Sequence, residues 1–255
     1  MLPTLRPALA AAGIMLLTAV CAASAQDFSP SQRTEVERIV RDYLLKNPEL
    51  LQEVMAELEK KQSAAESEKH RAGVKEHAEK LFNSPHHVVV GNPKGDVTMV
   101  EFFDYNCGYC KRAMSDLLDM MKSDPKLRVV LKEFPVLGQG SVEAAQVGIA
   151  VRMQDPGGKK YLDFHQKLLN GRGQADKARA LAAAKEAGLD VSRLEKDMAS
   201  EEARVSLEES FKLAEALGLN GTPSYVIGND VVVGAVGLKT LQGKVNSARC
   251  GQATC

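Results

Sequence analysis

Two cysteines three positions apart, Cys107 and Cys110, enclose Gly108 and Tyr109 in the stretch FFDYNCGYCKRAM. A pair with this spacing can cycle between dithiol and disulfide, supply half of a zinc site, attach haem or staple the chain. Haem attachment needs a histidine directly after the second cysteine, and Lys111 stands there. A zinc site would have to borrow Cys250 and Cys255, whose spacing and place at the chain end are unlike a zinc knuckle, so no metal is expected. An inert staple remains the alternative to a redox couple. Location favours the couple: the pair lies between an apolar run and a helical pattern, where the unpaired N–H groups and dipole of a helix stabilise a thiolate. Cys107, in the first turn, is then the attacking sulfur. Cys110, one turn on and less exposed, is the thiol that resolves a mixed disulfide.

Glu101 shares the alternating face of Met99 and Phe103 in VTMVEFFDY, so it points inward, where an ionised carboxylate is costly. It is either a proton acceptor for Cys110, reached through water and tuned by Lys132, or an edge residue or plain ion pair with Lys132 on the following strand. Gly221-Thr222-Pro223-Ser224 opens a later apolar run. For X–Pro bonds in general cis occurs in only about one in twenty, so composition alone makes this bond trans.

The elements that must position these residues are legible from periodicity. HHVVVG, VTMVEFFDY and LRVVLKEFP read as strands, and Lys111 to Lys122 reads as a helix with Met114, Leu117, Leu118 and Met121 on one face. Residues 141–218 are almost wholly helical in pattern, broken at Asp155-Pro156-Gly157-Gly158, Asn170-Gly171 and Gly188. PSYVIGNDVVVGA reads as a hairpin turning at Gly228-Asn229-Asp230, and LKTLQGKVNSA as a closing helix. This order predicts an α/β fold, a mixed sheet with helices on its faces and an inserted helical block beside it.

Residues 26–82 are different. Ser29-Pro30-Ser31-Gln32 has the form of a capping box with proline at the first helical position, followed by Val36, Ile39, Val40, Tyr43 and Leu44 at helical spacing. Asn47-Pro48 restarts a helix with a second stripe, Leu50, Leu51, Val54, Met55 and Leu58, and a charged stalk runs from Glu59 to Lys80. A unit this small has too little core to stand alone. Its stripes cover either the chain's own main domain or a second or third copy of the chain, and the intervening stalk favours self-association.

The first 25 residues read as a cleaved secretory signal: Arg6, then the apolar ALAAAGIMLLTAV, then Ala23-Ser24-Ala25. A lipid anchor on Cys21 is the competing reading, opposed by the bulky Val20 before it. Cleavage would leave 230 residues with a net charge of −1, because the 33 basic residues of the chain lose one and the 33 acidic residues lose none. That balance points away from nucleic acid and anionic membrane surfaces, and no later segment is long and apolar enough for membrane insertion. Export would place the four remaining cysteines in an oxidising compartment.

CGYC after a VEFFDY strand, the helical insertion, and Thr222-Pro223 before a final hairpin together resemble the DsbA-like family of exported thioredoxin-fold thiol-disulfide oxidoreductases, over roughly residues 85–248. The resemblance implies a thioredoxin fold divided as 83–140 and 219–255, with an inserted helical domain at 141–218. It implies that Cys107 is the nucleophile, Cys110 the resolving cysteine, and Glu101 and Lys132 a buried charge pair beneath them. Gly108, Tyr109, Thr222 and Pro223 then bind substrate, with Pro223 cis, and no cofactor is required. Strongly oxidising DsbA proteins carry Pro-His between the cysteines and Val before the proline. Gly108-Tyr109 and Thr222 resemble the disulfide isomerase DsbC instead, and without the histidine Cys107 is less acidic and its disulfide less oxidising. The N-terminal helices resemble the oligomerisation segments of ScsC-like proteins.

The expected function is therefore a periplasmic disulfide isomerase or reductase. It would be a dimer or trimer through residues 29–82, acting on misfolded exported proteins and reset by a membrane redox partner. A DsbA-type oxidase is the nearest alternative. A chaperone or copper-binding protein that uses the two thiols is an alternative of another class, since Cu(I) favours thiolates. Cys250 and Cys255 read as a structural disulfide that clips the tail.

Overall fold

The computed structural model describes residues 28–255, so the expected signal segment and Cys21 lie outside the described residues. The chain forms two compact units, one ending at Leu58 and one running from Glu59 to Cys255.

In the first unit, α1 (Pro30–Lys46) starts at a complete capping box: the Ser29 hydroxyl accepts from Gln32 N–H, and the Gln32 side chain accepts from Ser29 N–H at 2.9 Å. The helix buries none of its side chains. Val36, Ile39, Val40 and Tyr43 are exposed, as are Leu51, Val54, Met55 and Leu58 on α2 (Glu49–Glu76).

The second unit is built on a five-stranded sheet: β1 (Val88–Gly91), β2 (Val97–Phe103), β3 (Leu127–Glu133), β4 (Ser224–Ile227) and β5 (Asp230–Val233), in the order β1-β3-β2-β4-β5. Only β2 and β3 run parallel, which requires a crossover, and α4 (Gly108–Ser123) supplies it. Both central strands are covered on both faces, which is why their sequences read as near-continuous apolar runs.

One face packs Met99, Phe103, Val129 and Leu131 against Met114 and Leu117 of α4, and the same core takes in the helices α5 (Gln139–Gln154), α6 (Lys159–Asn170), α7 (Lys177–Glu186) and α8 (Val191–Asp197). The inserted helices thus share one continuous core with the sheet. The other face packs Val100, Phe102, Val130 and Val226 against Leu213 of α9 (Glu201–Ala216), with Leu217 and Leu219 beyond it. Val74 and Leu81 are buried in that second cluster. The boundary expected at 82/83 is therefore misplaced: the end of the charged stalk, including α3 (Ala78–Phe82), belongs to the sheet-bearing unit. Widely spaced buried positions in a charged helix leave no continuous stripe to read.

The hairpin turns on two residues, because Ile227 pairs with Asp230 across Gly228-Asn229, and Gly228 takes the left-handed φ of +58°. Asp230, expected in the turn, begins β5 and accepts from Lys244 Nζ at 2.9 Å. α10 (Leu238–Cys250) closes the fold, and Cys250 is bonded to Cys255. Among the described residues, no helix is long and apolar enough to cross a membrane.

Candidate functional site

β2 delivers the chain to the end of the sheet where the two parallel strands finish, and Cys107 is the N-cap of α4, with its N–H on the Asp104 carbonyl at 3.0 Å. The first N–H groups of a helix lack intrahelical acceptors, so they face the N-cap side chain. The Cys107 thiol is lowered to about 5: the hydrogen bond from Cys110 is the largest cause, partly opposed by burial, and the Thr222 side chain and the N–H groups of Cys110 and Tyr109 add to it. Cys107 Sγ also lies 3.1 Å from the Thr222 carbonyl oxygen. That contact suits the protonated thiol and is outweighed by the donors. Cys110 is buried, and its thiol is pushed far up by the bond it gives to Cys107, by burial and by the nearby Glu101 carboxylate. The two sulfurs are therefore differentiated, one poised as a thiolate and one held as a thiol.

The Thr222–Pro223 peptide is cis, which composition alone does not favour and the resemblance implies. Its loop is tied down by Gly234 N–H on the Pro223 carbonyl at 2.8 Å and by Ser224 Oγ on the Gly221 carbonyl at 2.7 Å. A Cβ on Gly108 would meet nothing within 4 Å, so packing does not dictate glycine there. Tyr109 is 59% exposed, with the Arg112 guanidinium 4.3 Å from its ring centroid.

Glu101 lies on the cysteine side of the sheet, 3% exposed, and its Oε2 has no hydrogen-bond partner in the protein. Burial pushes its carboxyl up to about 8, and the Cys107 charge adds to the rise. Lys132 is not its partner. In the parallel register Glu101 pairs with Leu131 and Phe102 with Lys132, so the two charged residues project from opposite faces. Lys132 Nζ instead bonds Glu209 Oε1 of α9 at 2.9 Å. Burial lowers the lysine, and the Glu209 carboxylate opposes that. The expected Glu101–Lys132 charge pair is thus corrected: adjacency of strands was read without their register.

Sequence reasoning missed a second buried acid. Glu133 lies on the Glu101 face, and its Oε1 accepts from Tyr105 at 3.1 Å and Tyr161 at 2.8 Å. Burial holds its carboxyl well above the usual range. His165 Nδ1 joins the cluster 3.3 Å from the Tyr105 hydroxyl, its imidazole lowered to about 3 by burial. The alternation that singled out Glu101 applies equally to Glu133, two residues beyond Leu131. Asp104 and Asn106, also missed, lie between β2 and Cys107, and Asp104 is buried. Cys250 and Cys255 are joined to each other at the exposed chain end and take no part in this arrangement.

A thiolate at a helix N-terminus, a thiol behind it and a buried carboxyl below form a set able to perform thiol–disulfide exchange. Residues 98–246 match the family model of the DSBA-like thioredoxin domain. The chain belongs to the DSBA-like thioredoxin family. Residues 32–65 match a second model, the copper resistance protein ScsC N-terminal domain.

Among solved structures, a thioredoxin-like oxidoreductase from Silicibacter pomeroyi is 44% identical, covering 67% of this chain and 96% of its own, with a TM-score of 0.64. A linker-deletion mutant of ScsC from Proteus mirabilis is 28% identical, covering 89% of this chain and 100% of its own, with a TM-score of 0.67. The thiol-disulfide exchange protein alpha-DsbA2 from Wolbachia pipientis is 28% identical, covering 72% and 97%, with a TM-score of 0.65. The chain spans about a quarter of the length of the curated relatives it matches. One is the Na(+)/H(+) antiporter NhaA 1 of Salinispora arenicola, 24% identical over 163 residues, which are 64% of this chain and 25% of the antiporter.

Proposed function

We propose that this chain is an exported, periplasmic thiol-disulfide oxidoreductase that works chiefly as an oligomeric disulfide isomerase or reductase. The observation that carries the reading is the pairing of a Cys107 thiol lowered to about 5 at a helix N-cap with a buried Cys110 thiol beside Thr222–Pro223. The Cys107 thiolate attacks one sulfur of a client disulfide. The client S–S bond breaks, the other client sulfur leaves as thiolate, and a mixed disulfide joins Cys107 to the client.

Two exits follow. A second client thiolate can attack the mixed disulfide, which returns Cys107 as thiolate and rearranges the client without net oxidation. Alternatively Cys110 attacks Cys107 Sγ, forming the Cys107–Cys110 disulfide and releasing a reduced client, and a membrane redox partner must then reduce the pair. The proton of Cys110 goes to Glu101 in the molecules whose Glu101 is ionised, a minority below pH 8. In the mixed disulfide Cys107 carries no charge, so one of the causes raising Glu101 is gone and the carboxylate forms more readily at the moment it is needed.

The isomerase side of the reading is supported by Gly108-Tyr109 and Thr222, and by the open surroundings of Gly108, which leave room for a client chain. Oligomerisation is supported by the exposed apolar stripe of α1, a helix with a complete cap and no buried side chain. Refolding of scrambled-disulfide substrate tests isomerase activity, and refolding of reduced substrate with oxidised protein tests the oxidase alternative. If Cys107→Ser left both unchanged, the enzyme reading would be lost. Removal of residues 26–58 should give a folded monomer that loses isomerase activity, and light scattering showing a monomeric full-length protein would refute assembly. The match of residues 32–65 to a copper resistance protein's domain supports a second reading, Cu(I) held by Cys107 and Cys110, and stoichiometric Cu(I) retention that is lost in Cys107→Ser tests it.

A further inference from the structure

The residue before Cys107 is held from more directions than the helix cap requires. Asn106 Nδ2 donates to the Ala175 carbonyl at 2.8 Å and to Ser141 Oγ at 2.9 Å, and its Oδ1 accepts from Ala175 N–H at 2.7 Å. The amide is paired with both backbone groups of one residue, the N–H and the carbonyl of Ala175, and both its donor hydrogens are in use. A carboxylate there would turn an acceptor toward the Ala175 carbonyl, so the geometry selects asparagine. Asp104 completes the knot. Its Oδ1 accepts from Asn106 N–H at 2.7 Å and Ser141 Oγ at 2.8 Å, and its Oδ2 from Val136 N–H at 2.8 Å and Leu137 N–H at 3.0 Å. Asp104, Ser141 and Ala175 are all buried.

Ser141 belongs to α5 and Ala175 lies just before α7, so both partners of Asn106 come from the helical insertion. N-cap geometry by itself sets the backbone of Cys107 and leaves its position against neighbouring segments free. A thiolate is stabilised only when donors are near-linear and close, since hydrogen bonds weaken steeply with angle and distance. We propose that Asn106 is a positioning residue for Cys107: by clamping the chain to Ser141 and Ala175 it aims Sγ at the α4 N-terminus and the Thr222–Pro223 loop, and makes the helical insertion a working part of the redox site. This rests on the reading of Cys107 as the attacking sulfur.

The test is the pH profile of Cys107 carbamidomethylation by iodoacetamide in the reduced full-length protein, followed by mass spectrometry, together with thermal melts. It compares Asn106→Ala, Ser141→Ala and Ile149→Val, the last a buried α5 residue outside the knot that serves as a stability control. A weakened donor set moves the midpoint up, so at pH 5 the Asn106→Ala rate should fall about five-fold and the Ser141→Ala rate about two-fold, in proportion to the thiolate fraction. At pH 9, where Cys107 is thiolate in every variant, the rates should agree. A profile for Asn106→Ala that superimposes on the parent while the melting temperature falls would overturn the proposal, as would an equal displacement by Ile149→Val. Should Asn106→Ala show no cooperative melt, Ser141→Ala decides alone, because it removes one bond to Asn106 and one to Asp104. The measurement needs no turnover, so loss of the enzyme reading through Cys107→Ser is a separate outcome.

Discussion

Replacing Glu101 by glutamine should stabilise the reduced protein by an amount that grows with pH. The folded protein keeps a proton on this buried carboxyl up to about 8, whereas the reference value is 4.5. Between those values the folded state binds a proton that the unfolded chain has released, so this group's contribution to stability falls as pH rises across the window and is constant outside it. Each pH unit is worth ~1.4 kcal/mol, so the cost is about 3 kcal/mol at pH 7 and roughly 5 kcal/mol above pH 8. Glu101 is fully enclosed, so solvent screening does not erode that figure. Glutamine has the shape of the protonated acid and cannot ionise. Parent and Glu101→Gln should therefore differ by less than about 1 kcal/mol at pH 5 and diverge steadily to pH 8. Urea unfolding of both reduced proteins at pH 5, 7 and 9 reads the difference directly. A gap that stayed constant from pH 5 to 9 would refute the claim that burial holds this carboxyl protonated.

Lys132→Met should leave the pH profile of Cys107 alkylation unchanged, because the lysine projects from the far face. It should destabilise the fold by about 3 kcal/mol in thermal or urea melts, since it strands the mostly buried Glu209 carboxylate. Gly148→Ala should cost roughly 1–3 kcal/mol by overpacking, measurable by the same melts, because a Cβ there runs into Glu133 Oε1 and comes within 3.1 Å of the Tyr105 hydroxyl. Replacing Cys250 and Cys255 together by serine should cost at most about 2 kcal/mol, the chain-entropy value for so short a loop, and leave scrambled-substrate refolding unchanged. Lost refolding activity would give that bond a redox role.

Local chemistry was the part open to reading from sequence. The strand-to-helix junction at Cys107, the capping box at Ser29 and the existence of a hairpin at Gly228-Asn229 each depend on a few neighbouring residues, because caps and turns are made by short-range hydrogen bonds, while the pairing that puts Asp230 in β5 was not read. Inward alternation identified Glu101 as buried for the same reason. Which face of the sheet a charge occupies is decided by the register between strands 30 residues apart in sequence, and there Lys132 parted from Glu101 and paired with Glu209. The burial of Val74 and Leu81 under the sheet depends likewise on where distant α9 packs. So does the meeting of Asn106 with Ala175, which are 69 positions apart. A sequence by itself determines which groups can do thiol chemistry, because that is written in residue type and spacing. Tertiary structure alone decides which of them are desolvated together, because desolvation belongs to the packed neighbourhood and not to any residue in it.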